Sequence, residues 1–143
     1  MTSIKRSLFV PFSTKDMFSL VNDVERYPEF LPWCSSSNVL MSDSTRMEAT
    51  LSIAKGRFNY NFSTINSLRE DESISIELID GPFKNFSGLW QFTSLDSGSS
   101  VKLELDFEFN GVLLGAALSL ASGMMVDTLV NAFKQRAYKI YES

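Results

Sequence analysis

The chemistry open to this chain is limited, because it contains no histidine and a single cysteine, Cys34. Histidine is the commonest general base and metal ligand, so its absence excludes a Ser-His triad and leaves no set of zinc ligands. No neighbouring lysine or arginine in the sequence would lower the pKa of Cys34, which favours an inert buried thiol. The residue types therefore argue against nucleophilic and metal-assisted catalysis.

Carboxylates are the remaining acid–base candidates, and pairs of them can act as general acid and base. Acidic side chains are almost never fully buried unless they are paired, so we interpret the clusters as solvated surface charge. Asp127 is the exception because it interrupts an apolar stretch, and it lies either in a cavity or, as we favour, on the outer side of a helix. The clusters are Asp23 with Glu25, residues 70–72, and Glu104 with Asp106 and Glu108.

The elements that must position these residues follow from hydrophobic periodicity. Alternation with a period of two predicts a set of antiparallel strands joined by short loops, and Ser13 predicts the N-cap of a helix over 14–22. A second short helix is expected at about 24–30, and spacing of i, i+3, i+4 predicts a long helix from Gly111 to about Tyr141. The predicted strands are 4–11, 35–42, 46–54, 57–65, 73–79, 85–93 and 101–109.

This order predicts one α+β domain over 1–143, in which a curved antiparallel sheet of about six to seven strands wraps around the long C-terminal helix. The concave space of such a sheet is either filled by large side chains or left as a cavity, and twelve phenylalanines supply apolar surface for both. As candidate ligand-binding residues we select aromatic side chains near the expected mouth and apolar side chains of the helix. They are Tyr27, Phe30, Trp33, Phe62, Trp90, Leu114, Leu118, Met125 and Leu129.

Charge and composition restrict partners and location. The net charge is -4 and the basic residues are scattered, which argues against DNA binding and against RNA contact through a broad basic face. The N-terminus lacks the apolar region of a signal peptide, and the apolar stretch 111–126 is shorter than a membrane span. With one cysteine, these features predict a cytoplasmic protein, with transient contact at the inner membrane face as an option.

Three stretches carry a family resemblance: VERYPEFLPWC at 24–34, GPFKNFSGLWQF at 81–92, and Phe107–Phe109 followed by the apolar helix. Together they resemble the START-like superfamily, also called the SRPBCC or polyketide cyclase/dehydrase family, which has the helix-grip (Bet v 1-like) fold. Within it, the chain is similar to the branch that holds the coenzyme Q-binding proteins and the ribosome association toxin RatA. The resemblance covers essentially the whole chain.

The resemblance implies three functions, which stay open here. The first is non-catalytic binding of ubiquinone, a polyprenyl quinone, in the cavity between sheet and helix, in support of respiratory electron transport and with no metal or catalytic cofactor. The alternative is a RatA-type toxin that binds the large (50S) ribosomal subunit and blocks subunit association. The third and least favoured is a polyketide cyclase or aromatase, which would need a tyrosine, Asp127 or Arg136 for proton transfer.

Overall fold

The computed structural model describes residues 2–55, 58–109 and 111–142, without the side chains of residues 55, 58 and 112–122. Seven strands and two α-helices follow one another, with a 3₁₀ helix at Val24–Glu29. The helices are α1 (Thr14–Asn22) and α2 (Val112–Tyr141). The strands are β1 (Thr2–Val10), β2 (Cys34–Ser42), β3 (Arg46–Lys55), β4 (Phe58–Arg69), β5 (Ser73–Asp80), β6 (Phe83–Leu95) and β7 (Gly98–Phe109).

The strands form one antiparallel sheet in the order β1-β7-β6-β5-β4-β3-β2. Strands β2 to β7 form a meander. Strand β1 pairs with β7 at the edge opposite β2, with Leu8 facing Val101 across the pair. Gly98 makes this pairing possible, since a Cβ at its φ of 153° would lie 2.0 Å from the Val10 carbonyl oxygen. The predicted α+β architecture, a seven-stranded antiparallel sheet with a long C-terminal helix, is confirmed.

Several predicted boundaries differ from the structure. The predicted second helix is a 3₁₀ helix containing Pro28, whose nitrogen has no hydrogen to donate to an α-helical bond. Strand β4 continues to Arg69, past the predicted end at 65, and β6 begins at Phe83. The register shifts place an extra residue in β2, β5 and β6, and such bulges bend the strands that contain them.

Helix α1 begins as its sequence predicts. The Ser13 hydroxyl accepts a hydrogen bond from the backbone N–H of Asp16 at 3.1 Å, which satisfies one of the free donors of the first turn. Its apolar face then buries Met17 and Val21 completely or almost completely. The Phe18 ring packs edge-to-face against that of Phe92 at 5.8 Å, so the helix lies against strand β6.

Helix α2 is anchored to the sheet through Phe133, of which only 2% is exposed. The Phe133 ring lies 5.1 Å from that of Trp90 on β6 and 5.4 Å from that of Tyr27 in the 3₁₀ helix. Both contacts are edge-to-face, the arrangement that aromatic rings favour. One side chain thus joins the helix, the sheet and the 3₁₀ helix.

Replacing Phe133 by alanine is expected to destabilise the protein by about 3–5 kcal/mol, because it removes a buried ring and leaves a void. Phe9 provides a matched control, since it is 68% exposed on β1 and the same replacement there should change stability by only about 0.5 kcal/mol. Urea unfolding followed by circular dichroism measures both variants. Equal losses in the two variants would contradict the anchoring role of Phe133.

Candidate functional site

A partly open cavity of about 270 Å³ lies between the concave face of the sheet, the 3₁₀ helix and α2. Aliphatic and aromatic side chains dominate its lining. From the sheet these include Ala49, Leu51, Ile53, Phe62, Ile76, Phe86, Trp90, Leu105 and Phe107, and from the helix Met125, Val126, Leu129 and Phe133.

Six of the nine selected ligand-binding residues line this one cavity: Tyr27, Trp33, Phe62, Trp90, Met125 and Leu129. The side chains of Leu114 and Leu118 lie outside the described residues. The convergence follows from the topology, because inward positions of several strands and one face of α2 meet in the concave space. It makes these six residues candidates for ligand contact, a role that stays a prediction.

Phe30 lies elsewhere. Its ring packs against Phe133 at 5.3 Å, and the guanidinium of Arg136 lies 5.0 Å above it. Phe30 is therefore part of an open surface groove of about 370 Å³ beside α2, which Glu29, Arg136 and Lys139 also line. Phe30 is absent from the cavity lining that the structure describes, although the three residues after it, 31–33, belong to that lining.

The same groove contains a cross-link between the 3₁₀ helix and α2. A nitrogen of Arg136 donates a hydrogen bond to Glu29 at 2.8 Å. This hydrogen bond, with the positive charge of Arg136, lowers the pKa of the Glu29 carboxyl below its usual range. The link joins the end of the 3₁₀ helix to α2 beside the rings of Phe30 and Phe133.

No charged side chain is among the described residues that line the cavity. The Tyr27 hydroxyl donates to the Val21 carbonyl oxygen, and burial raises the pKa of Tyr27 well above its usual range. Burial also raises the pKa of the Cys34 thiol, which lies 3.6 Å from the Ser36 carbonyl oxygen. Neither group is thereby poised to transfer a proton or attack a substrate at neutral pH.

Two polar cavity residues, Thr64 and Asn66, were missed by the sequence analysis. Thr64 falls within the predicted strand 57–65 but is polar, so the apolar alternation that ends at Phe62 does not mark it as inward, and Asn66 lies beyond the predicted end. Extending the period-two pattern to Arg69 would have placed both polar side chains on the buried face. In the structure the Thr64 hydroxyl donates to Asn66 Oδ1 at 3.1 Å.

The acidic residues lie outside the cavity. Asp127 is exposed and forms an ion pair with Arg6 of β1, which is the outer position favoured for it. On the outer face of β7, Asp106 accepts a hydrogen bond from the Ser3 hydroxyl and Glu108 accepts one from Asn85. Of the three groups considered for proton transfer, Asp127 and Arg136 are therefore absent from the cavity lining, and the tyrosines remain.

Two further clusters also form surface ion pairs: Asp23 pairs with Arg26 and Glu72 pairs with Arg69. Within the described ranges, no group of three or more acidic or cysteine side chains is arranged to hold a metal ion. A search of the described helices finds none that is both long and apolar enough to cross a membrane.

The family model for polyketide cyclase / dehydrase and lipid transport matches residues 10–134. The chain belongs to this family. A ribosome association toxin RatA of Pseudomonas aeruginosa is 43% identical over 98% of both chains. RatA of Vibrio cholerae is 42% identical over 99% of both.

A more distant relative is the mitochondrial coenzyme Q-binding protein COQ10 homolog B of Xenopus laevis. It is 28% identical over 91% of this chain and 55% of its own length. Both branches suggested by the three sequence stretches are thus found among the relatives, with RatA far closer in sequence.

Solved structures share the fold. A protein from Thermus thermophilus has a TM-score of 0.87 with 16% identity, over 98% of this chain and 99% of its own. A START superfamily protein from Mycobacterium smegmatis has a TM-score of 0.84 with 19% identity, over 96% and 98%. The chain therefore has the START-like arrangement common in the polyketide cyclase/dehydrase family.

The raised pKa of Cys34 predicts slow reaction with a disulfide reagent such as dithiobis(nitrobenzoate) at neutral pH, because little thiolate is present and the sulfur is buried. The labelling rate should rise only when the pH exceeds the usual pKa of a thiol, and it should become fast when urea unfolds the protein. The double variant Cys34→Ser, Ser35→Cys moves the thiol to an exposed neighbour and should react rapidly when folded. Equal rates for the folded and the unfolded protein would refute this prediction.

Proposed function

We propose that this chain is a ribosome association toxin of the RatA type, which binds the large ribosomal subunit and inhibits its association with the small subunit. The observation that carries the proposal is identity of 43% and 42% to two RatA proteins over almost the entire chain. The matches cover 98% and 99% of the two relatives' own length, so almost no part of either relative lacks a counterpart in this chain. A role in ribosome association therefore needs no additional domain.

The charge of the protein bears on how such contact would occur. The net charge is -4, so electrostatic attraction to ribosomal RNA through a broad basic surface is not supported. Contact through ribosomal proteins, or through a small set of local cations, fits this composition better. The described residues that line the cavity include no charged side chain, so such local cations would lie outside it.

A subunit association assay tests this proposal. Purified bacterial 30S and 50S subunits are mixed with the protein and separated on a sucrose gradient at a magnesium concentration that supports 70S particles. The protein should sediment with the 50S peak and lower the 70S peak in proportion to its concentration. A protein that stays at the top of the gradient at low salt and in large excess would count decisively against the proposal.

A second function, binding of a hydrophobic small molecule, is supported by a different observation, the apolar cavity of about 270 Å³. This volume lies just below the range of about 300–1,000 Å³ typical of ligand pockets. A small apolar molecule or a single ring system fits such a space. A complete polyprenyl quinone does not, so under this proposal the cavity would enclose its ring and only the beginning of its chain.

Mass spectrometry of a solvent extract from protein purified without detergent tests the second proposal. Ala49 is 3% exposed and lines the cavity, so Ala49→Leu should fill part of the space and reduce the amount of any co-purified ligand. Ala54→Leu is a matched control, because Ala54 lies on the opposite face of the same strand and is exposed.

Near-equimolar ligand in the wild type and in Ala54→Leu, and clearly less in Ala49→Leu, is the expected result. Equal amounts in all three proteins would place the ligand outside the cavity. The same Ala49→Leu variant should retain full activity in the subunit association assay if ribosome contact and ligand binding use separate parts of the molecule.

A further inference from the structure

We propose that Asn66, oriented by Thr64, is a hydrogen-bond donor that selects cavity ligands carrying a neutral acceptor such as a ketone oxygen. This inference rests on the ligand-binding proposal above and specifies the chemical class of the ligand. It assigns a recognition role to two residues that are polar within an otherwise apolar part of the fold.

The two side chains are neighbouring inward positions of β4. Across β3, Thr64 lies opposite Ala49 and Asn66 lies opposite Met47. Across β5, Thr64 lies opposite Leu78 and Asn66 opposite Ile76. All four cross-strand neighbours are apolar, so the adjacent strands supply no side-chain hydrogen-bond partner to either residue.

Within the described part of the chain, the Asn66 side chain has a hydrogen-bond partner for its oxygen but none observed for its nitrogen. Thr64 and Asn66 are only 7% and 6% exposed, and the Thr64 hydroxyl donates to Asn66 Oδ1 at 3.1 Å. This bond fixes which end of the carboxamide faces Thr64. A carboxamide also carries two N–H donors on Nδ2. Among the residues that the structure describes, no hydrogen bond from Nδ2 to a protein acceptor is observed, and Asn66 borders the cavity.

The rest of the lining determines what would satisfy those donors. The described lining residues include no charged side chain, and burying an unpaired charge in apolar surroundings is very costly. A charged ligand is therefore disfavoured. A hydrocarbon would fill the space but would leave the Nδ2 donors without a partner, which is also unfavourable. A neutral, mainly apolar molecule with a carbonyl oxygen matches both features of the site.

The experiment compares two probes of almost equal shape, 1-tetralone and tetralin, which differ by one carbonyl group. Each is titrated into ¹⁵N-labelled protein, and amide shifts in two-dimensional NMR give the dissociation constant. The wild type should bind 1-tetralone roughly threefold to tenfold more tightly than tetralin, as expected for one neutral hydrogen bond. The side-chain NH₂ signals of Asn66 should move downfield with 1-tetralone and not with tetralin.

Replacement of Asn66 by leucine should remove this preference, weakening 1-tetralone binding and leaving tetralin binding unchanged or tighter. The double variant Thr64→Val, Asn66→Leu removes both polar partners at once, so it avoids leaving a lone buried hydroxyl if Asn66→Leu folds poorly. Asn61→Leu is a matched control on the outer face of the same strand, where Asn61 accepts a bond from Ser52, and it should keep the preference.

The possible results distinguish the role of Asn66 from ligand binding in the cavity as such. If both probes bind the wild type equally, or if the double variant keeps the carbonyl preference, the role of Asn66 is refuted while ligand binding in the cavity stands. If neither probe binds the wild type at any accessible concentration, the ligand-binding proposal fails and this inference fails with it.

Discussion

The contact of the Phe133 ring with Trp90 and Tyr27 is the interaction on which the arrangement of this molecule depends. It holds the C-terminal half of α2 against strand β6 and the 3₁₀ helix. Leu129 and Met125 lie one and two helical turns from Phe133 on the same face, and they border the cavity instead of a closed core. Tight packing at one end of the helix and open space beside it thus arise from the same geometry.

The fold separates two kinds of surface that correspond to the two proposed functions. The cavity is lined mainly by apolar side chains and offers a neutral polar pair at Thr64 and Asn66. The ion pairs between Arg6 and Asp127 and between Glu29 and Arg136 lie outside it. A small molecule and a ribosomal subunit would therefore contact different residues.

Much of the fold could be predicted because strict alternation of apolar residues, clearest in β7, leaves only one face of each strand suitable for burial. The site could be predicted only in part. Aromatic residues such as Trp33 and Trp90 were recognisable as candidates, but whether each lines a cavity or packs in a core depends on sheet curvature, which local pattern does not specify. Phe30 shows this, because it lines the outer groove although Leu31 and Trp33 beside it line the cavity. Thr64 and Asn66 could not be predicted, because both are polar at inward positions and Asn66 lies in the part of β4 beyond the apolar alternation.

The most direct test of this structural account is a crystal structure determined under xenon pressure, since apolar cavities that exclude water bind xenon. We expect a xenon atom in contact with Leu51, Leu105 and Leu129, away from the polar pair on β4. A xenon-free map, with the side chains of α2 collapsed onto the sheet or with ordered water throughout the space, would contradict the claim that the Phe133 anchor leaves an open apolar cavity.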